Sequence, residues 1–586
     1  MDATRPVPLA RPPEPSFAEL FTPKLVTVLR EGYGFKDLRA DLIAGLTVAI
    51  VALPLSMAIA IAAGASPDRG LYTAVVGGFL ISALGGSRFQ VGGPAGAFIV
   101  LVAATIERHG IDGMLLATGM AGVFLLVIGF LRLGTYIKYI PYSVTVGFTA
   151  GIAVIILASQ LKDLFGLRLA GPEPGPIVPK LLALGAALPT ANPAAVGVAL
   201  LTLGVIVGLK RLRPTWPGML VAAAVAAVVT WLLDLPVETI ASRFGGIPRT
   251  LPVPALPPLG LDKALAVLPD AVSFALLGAI ESLLSAVVAD GMTGRRHRSS
   301  CELVAQGVAN IACSLFGGLP ATGTIARTAT NVRAGARGPV AGMLHALSIL
   351  LFMLLAAPLA GYIPLPALAA ILVFVAWNMA ERHAFATLLR SSKGAALVLL
   401  ATFLLTVFRD LTEGIVVGFA ISAVLFIDRM AGAITIEGRA PLVPEDRADD
   451  ANGGRRPYDP ALAADPDIVI YRIAGAFFFG AASTVSAVLD RITGGYKAFI
   501  LDLSAVPFLD ATAANTIAGL GQRAARHGVQ LLITGVTPGI RYTLLTHGLR
   551  APHVRYKRTV EEAVRAARAA IAGAAGPAQS PTASTP

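Results

Sequence analysis

Charge is what this chain has least of. Only 14% of its 586 residues are acidic or basic, 55% are apolar, and the mean hydropathy is +0.73. Those values exclude a soluble globular protein and indicate a polytopic membrane protein. Cysteine is scarcer still. Cys301 and Cys313 are the only two, and one predicted helix holds them about 18 Å apart, too far for a disulfide. No metal-ligand spacing occurs, so redox and structural-zinc chemistry are excluded and no metal or cofactor is implied. His297 and His345 are lone histidines that nothing marks as ligands. There is no nucleophile–base arrangement and no phosphate loop, so an enzyme is not expected. Residues 1–40 lack an apolar h-region, so no signal peptide is expected and the first membrane helix would itself direct insertion. The net charge of +12 would suit a nucleic-acid partner in a soluble protein. Here the Lys and Arg sit mostly in short loops, and membrane topology accounts for them.

Apolar runs are what the chain does have. They fill Asp41 to Ile427, while about a third of the charged residues lie beyond Asp428, which predicts one membrane domain and one soluble domain. Fourteen apolar segments can be placed, at 41–63, 70–87, 94–106, 113–131, 141–161, 193–209, 216–233, 269–289, 301–317, 320–332, 339–357, 363–378, 394–408 and 411–427. With the N-terminus inside, alternate loops carry Arg132 and Lys138, Lys210 to Arg213, Arg295 to Arg298, and Arg333 with Arg337. The opposite loops carry Asp68, Glu107, Asp163, Glu173, Asp234, Asp410 and Glu413. Positive-inside bias places both termini in the cytoplasm, as an even number of spans requires.

Two of these segments are broken in the same way. Val91-Gly92-Gly93-Pro94-Ala95-Gly96-Ala97 and Phe316-Gly317-Gly318-Leu319-Pro320-Ala321-Thr322-Gly323 each set a Gly-Gly and a Pro inside an apolar stretch. Unwound backbone at membrane depth is tolerated only where protein buries it or it lines a cavity. A matched pair of such breaks is a pointer to a transporter's binding site. Each Pro can occupy the first turn of a half-helix, where its missing N–H costs nothing. The segment from Pro94 to Ile106 would be about 20 Å long, too short to span a core of about 30 Å. Two N-termini meeting at mid-membrane would carry about half a positive charge each, together with free N–H donors. That suits an anion, with Gly93 to Ala97 and Ala321 to Thr324 as candidate contacts. The breaks are offset by seven spans, an odd number, which implies an inverted repeat. The plainer alternative is Gly and Pro used for helix packing alone.

Three side chains stand out near the breaks. Glu281 lies near the middle of the eighth segment, where a carboxylate is costly unless protonated, paired or wet. It suits reversible proton binding. Ser285, one turn on, can hydrogen-bond Glu281 or line the cavity. The alternative for Glu281 is a structural interhelical hydrogen bond. Arg327, two turns into the second half-helix, can add its charge behind the helix dipole or snorkel to the cytoplasmic surface. Asp290, Arg295, Arg296, His297 and Arg298 read as an ordinary cytoplasmic loop.

Beyond Arg429 the composition changes. Residues 437–466 are polar and rich in Pro, Gly and Asp. Strand-like runs follow at 468–473, 498–503 and 530–534, separated by helical patterns at 482–493, 511–527 and 538–548. Thr559 and Glu562 form a capping box that opens a last basic helix. Alternating strand and helix predicts a small α/β domain, followed by a tail at 573–586 too poor in apolar residues to fold.

These pieces resemble the bacterial branch of the sulfate permease (SulP) family of anion transporters. The matching residues are Ala40 to Val48 with Pro54, Gly92 to Ala97, the Glu281 segment, Gly317 to Thr322 and Ala326-Arg327-Thr328, with a C-terminal part similar to STAS domains. The resemblance covers about residues 35–570. It implies an all-α polytopic membrane domain of fourteen spans, as a seven-plus-seven inverted repeat with two half-helices, joined to an α/β STAS-like domain. The expected boundaries are a cytoplasmic segment at 1–39, the transport domain at 40–429, a linker at 430–466, the STAS-like domain at 467–572 and the tail at 573–586.

The resemblance also implies core and gate parts, an elevator-like motion, a homodimer and an anion held between the third and tenth spans. Its STAS motif is Asp502-Leu503-Ser504 with Asp510-Ala511-Thr512. Thr512 stands where related anti-sigma antagonists carry a phosphorylatable Ser, while Ala511 departs from their Ser-Ser pair. The alternative is a plain helix start, capped by Asp510 with Thr512 solvated. Sodium-coupled bicarbonate members carry Asp at the position of Glu281 and Thr at that of Ser285, whereas proton-coupled members carry Glu. The expected function is therefore secondary active, proton-coupled transport of a small anion across the inner membrane. Sulfate is the default substrate and a C4-dicarboxylate is open. The alternatives are sodium-coupled bicarbonate transport and a passive exchanger or channel. Nucleobase carriers of the same architecture lack a STAS-like tail.

Overall fold

The computed structural model describes residues 16–137, 140–171, 173–213, 216–409, 411–438, 467–478, 496–552 and 554–574. The chain forms two compact units, Met1–Ala420 and Ile421–Pro586.

The first unit is helical. Its first half holds α1 (Phe35–Ala62), α2 (Pro67–Tyr72), α3 (Gly78–Leu84), α4 (Ile99–Phe130), α5 (Tyr142–Phe165), α6 (Pro193–Leu212) and α7 (Gly218–Leu232). The second half holds α8 (Leu261–Thr293), α9 (Ser299–Leu315), α10 (Ile325–Arg333), α11 (Val340–Ala360), α12 (Leu365–Met379), α13 (Lys393–Phe408) and α14 (Leu411–Gly432), the last running on into the second unit. Every apolar segment read from the sequence carries helix. Among the described residues, eight helices are long and apolar enough to cross a membrane by themselves.

The irregularities in these helices have local causes. A π-turn at Thr73–Gly77 joins α2 to α3. Gly110, at φ 68° and ψ −176°, splits α4 into the third and fourth apolar segments, a conformation that suits glycine. Past that break α4 packs on α9 through facing glycines. A Cβ at Gly122 would lie 2.7 Å from the Gly307 carbonyl oxygen, and a Cβ at Gly307 would lie 2.7 Å from that of Gly122. Small residues are what let membrane helices approach so closely. The tightest pairings set α4 on α8 and α9, α1 on α11, and α5 on α12 and α13. Two helices of ten residues or more fall in stretches the sequence reading left as loops, Ile177–Ala187 and Arg382–Ser391.

One sequence expectation is corrected. Neither proline opens a half-helix. Pro94 lies in a strand, Pro320 precedes another, and the helical turns start at Gly96 and Ile325. The Gly/Pro stretches are extended because they pair with each other, a long-range contact that no helix-start rule includes.

The second unit is an α/β domain. Its strands are β3 (Thr435–Gly438), β4 (Ile468–Ala474), β5 (Ala498–Ala505), β6 (Gln530–Thr534) and β7 (Val554–Lys557), in that order across the sheet. Only the β3–β4 pair is antiparallel. The helices are α15 (Ala511–Arg526), α16 (Pro538–Thr546) and α17 (Val560–Ala574). Strand alternation sends Val469, Phe499, Leu501, Leu531 and Ile533 to one face, against Ile517 and Leu544. Ile468, Ile470, Ile500 and Leu532 go to the other, against Val564 and Ala567. β3 falls in the stretch read from sequence as linker, and β7 went unread because it is only four residues long. At α17 the Glu562 amide bonds the Thr559 hydroxyl as a capping box requires, but the Glu562 carboxylate accepts from the Arg558 amide, one residue early. The predicted helix at 482–493, the linker at 439–466 and the tail at 575–586 lie outside the described residues.

Candidate functional site

The two broken segments meet as an antiparallel pair. β1 (Gly92–Pro94) and β2 (Ala321–Gly323) set Gly92 opposite Gly323, Gly93 opposite Thr322 and Pro94 opposite Ala321. Antiparallel strands leave a crossing in opposite directions, so the helices that follow do the same. One begins with a 3-10 turn at Gly96–Phe98 that feeds α4, and the other is α10. Their N-caps, Ala95 and Thr324, share a φ of −113°. First turns leave amides without an intrahelical acceptor. Gly96 and Ile325 are half-buried and Ala326 is exposed. A Cβ at Gly96 would meet only Ile156 Cδ1 of α5 at 3.5 Å and Met379 Sδ of α12 at 3.9 Å. Two helix N-termini at one crossing favour an anion.

Helix α8 holds the second segment directly and the first through Thr328. The Thr322 hydroxyl donates to the Gly278 carbonyl at 3.1 Å. Two turns on, the Ser285 hydroxyl lies 3.0 Å from Thr328 Oγ1, which accepts from the Val91 amide at 3.2 Å. Gly278, Glu281 and Ser285 share one helix face, so Glu281 sits between these two contacts. It is 8% exposed and, among the described residues, has no hydrogen bond or ion pair. Of the two roles read for Ser285, the hydrogen bond to Glu281 is not made, and its hydroxyl is engaged with Thr328.

Arg327 neither snorkels nor stands free behind the dipole. It is 2% exposed and grips the opposite strand. Nη1 donates to the Gly92 carbonyl at 3.2 Å, and Nη2 to the Pro94 carbonyl at 3.2 Å and Ser56 Oγ at 3.0 Å. Gly93 makes room for it. Its φ is +151°, and a Cβ there would run into the guanidinium. Gly323 likewise leaves room for the Gln90 amide.

Sequence reasoning missed three holding residues. Asn310 takes both backbone groups of Ala321, accepting from its N–H at 2.9 Å and donating to its carbonyl at 2.8 Å. Asn331 donates to the Phe89 carbonyl at 2.9 Å. Glu302, wholly buried in the first turn of α9, accepts from the Gly86 and Ser87 amides and from Gln90 and Gln306. The rule that singles out Glu281 as an intramembrane acid applies equally to Glu302, but its place at the edge of the ninth segment reads as interface.

Residues 38–402, more than half of the chain, match the sulfate permease family. The chain belongs to that family. Residues 459–563 match the STAS domain. The chain is similar to "Putative sulfate transporter YvdB" of Bacillus subtilis (strain 168), 40% identical over 511 residues, 86% of this chain and 93% of that one. It is also similar to "Bicarbonate transporter BicA" of Synechocystis sp., 32% identical over 516 residues, 86% of this chain and 89% of that one. Among solved structures, the murine Slc26a9 anion transporter in its inward-facing state matches with a TM-score of 0.81 at 20% identity, over 96% of this chain and 97% of that chain. That last likeness speaks for the fold alone. As a family member the protein is a multi-pass membrane transporter of anions and not an enzyme.

In the STAS domain, the Asp502 carboxylate accepts from Arg472 Nε at 2.9 Å, the Ser504 amide at 3.1 Å and Thr534 Oγ1 at 3.1 Å. Asp510 caps α15 through the Ala513 amide at 2.8 Å, and Thr512 is exposed in the first turn.

Proposed function

We propose that this sulfate permease is a proton-coupled symporter of a small anion, sulfate first. The anion binds to the first-turn amides after Ala95 and Thr324, with Gly93, Pro94, Ala321, Thr322 and Gly323 building the crossing beneath it. Arg327 lends its positive charge from behind β1 rather than by direct grip. The observation that carries the reading is the place of Glu281, without a partner, on the α8 face between Gly278, which holds Thr322, and Ser285, which reaches the Val91 amide of the first segment through Thr328. A carboxylate there tolerates burial when protonated or when a cation or water reaches it. Its proton and the anion therefore load the same crossing, which supports coupling. Fourteen spans in two inverted repeats, cytoplasmic termini, an inner-membrane homodimer and an elevator-like motion complete the proposal. The 40% identical relative named as a putative sulfate transporter supports sulfate.

A second reading, sodium-coupled bicarbonate transport, is favoured by the 32% identical relative named a bicarbonate transporter. Glu rather than Asp at position 281 weighs for protons. Uptake of labelled sulfate, succinate and bicarbonate into proteoliposomes, with and without an inward proton gradient, tests both. Gradient-driven uptake of one anion is expected, and Glu281→Gln should abolish the drive. Equal, gradient-independent fluxes in both proteins would sink the symport reading.

A further inference from the structure

The chain leading into β1, Gly86 to Pro94, is held at both ends by side chains from the second half of the membrane unit. At its start the Glu302 carboxylate accepts the Gly86 and Ser87 amides at 2.9 and 3.1 Å. At its end the Arg327 guanidinium takes the Gly92 and Pro94 carbonyls. The two ends of the ribbon thus meet a carboxylate on the N–H side and a guanidinium on the C=O side. Between them Gln90 donates its amide to Glu302 Oε1 at 2.9 Å, and that same amide fills the space left by the missing side chain of Gly323. Glu302 therefore reaches β2 as well, through Gln90. The same oxygen also accepts from Gln306 Nε2 at 3.0 Å, which fixes the carboxylate on α9. No charged partner meets Glu302 among the described residues. All its charge is taken up by hydrogen bonds, which charge assistance makes short and strong.

We propose that Glu302 is a positioning residue for anion binding, acting through Gln90 and the Gly86–Ser87 turn to fix where the first half-helix begins. The inference rests on the anion site proposed at the β1–β2 crossing. Loss of the brace lets the Gly96 and Ala97 amides drift, which weakens anion binding and leaves the proton step at Glu281 in place. The site read from sequence held no residue before Gly93; this extends it back to Gln90 and across to α9.

The test uses a cysteine reporter in the full chain. Cys301 and Cys313 are buried, so Gly96→Cys, which has room for a side chain, supplies the reactive thiol. Its labelling rates by anionic and by cationic methanethiosulfonate reagents read the field at the half-helix start without needing the substrate. The parent is expected to favour the anionic reagent. Gln90→Ala and the near-isosteric Glu302→Gln should each cut that preference, and without the reporter should raise KM for the transported anion about tenfold, leaving Vmax and the pH profile nearly unchanged. The double variant should fall short of the product of the two single effects, because both belong to one brace. Equal labelling by both reagents in the parent would overturn the anion site and this inference with it. An anionic preference in the parent that neither variant changes, with KM unmoved, would overturn this inference alone.

Discussion

The two lead-ins to the β1–β2 crossing do the same job with different chemistry. The first, Gly86 to Pro94, is held by a buried carboxylate and a buried guanidinium, with Asn331 on the Phe89 carbonyl. The second, Gly317 to Gly323, is held at its centre by neutral groups. Asn310 meets both backbone groups of Ala321, and Thr73 accepts from the Leu319 amide at 2.7 Å. Among the described residues its one charged contact, Arg69 to the Gly317 carbonyl at 2.7 Å, sits at the half-buried end. A carboxamide carries a donor and an acceptor together and needs no countercharge. A buried ion costs several kcal/mol to desolvate and leaves a large deficit when its partners go. The first lead-in should therefore fail steeply and by charge, the second gradually and by hydrogen-bond count.

Arg327→Gln is the strongest way to break the comparison. It removes the charge and two of the grips on β1, and uptake should fall by about a hundredfold or more, in keeping with about 3–5 kcal/mol for breaking a buried charged network. Arg327→Lys should not rescue it, because one ammonium cannot replace a fork that serves three acceptors. Rescue by Lys would mean that charge alone matters and the grip does not. Next comes Gly93→Ala. It demands a φ of +151° from an L-residue and drives a Cβ into the guanidinium, so it should phenocopy Arg327→Gln at reduced size, about 10- to 50-fold in uptake. Gly323→Ala sharpens the contrast, since it meets the movable end of Gln90, and should cost less than Gly93→Ala in the same assay.

Much of this site was legible in the sequence, and the reasons for the rest are physical. The Gly-Gly and Pro breaks at 92–94 and 317–320 disclosed unwound backbone, because nothing else explains them in lipid. Glu281 disclosed itself by its cost. Pattern reading could not see that the two breaks pair with each other, because residues 92 and 323 are brought together only by the fold. For the same reason Thr328, Asn310 and Gln90 looked like ordinary polar residues, and Ser285 was singled out without its partner Thr328. Arg327 was found by its charge and misjudged in its contacts. In the STAS domain, short continuous apolar runs disclosed β4, β5 and β6, whose faces are buried on both sides, and the four-residue edge strands β3 and β7 are too short and too polar to form such a run.

The neutral side of the comparison carries the smaller effects. Asn310→Ala strips the Ala321 N–H and carbonyl of their partners and should lower uptake several-fold with a lowered melting temperature, at about 1–3 kcal/mol for a buried group left unsatisfied. Thr73→Val should be the mildest. The Thr73 hydroxyl has one proton and two acceptors in reach, Arg69 O at 2.8 Å and Leu319 O at 3.2 Å. The shorter contact takes the proton, so the bond that matters to β2 is the one Thr73 accepts from the Leu319 amide. Valine keeps the shape and loses that acceptor, and serine keeps it. A small drop in melting temperature for Thr73→Val, none for Thr73→Ser, and near-normal KM for both would show a lead-in held by hydrogen bonds one at a time. A collapse of uptake in Thr73→Val as deep as that of Arg327→Gln would erase the distinction between the two sides.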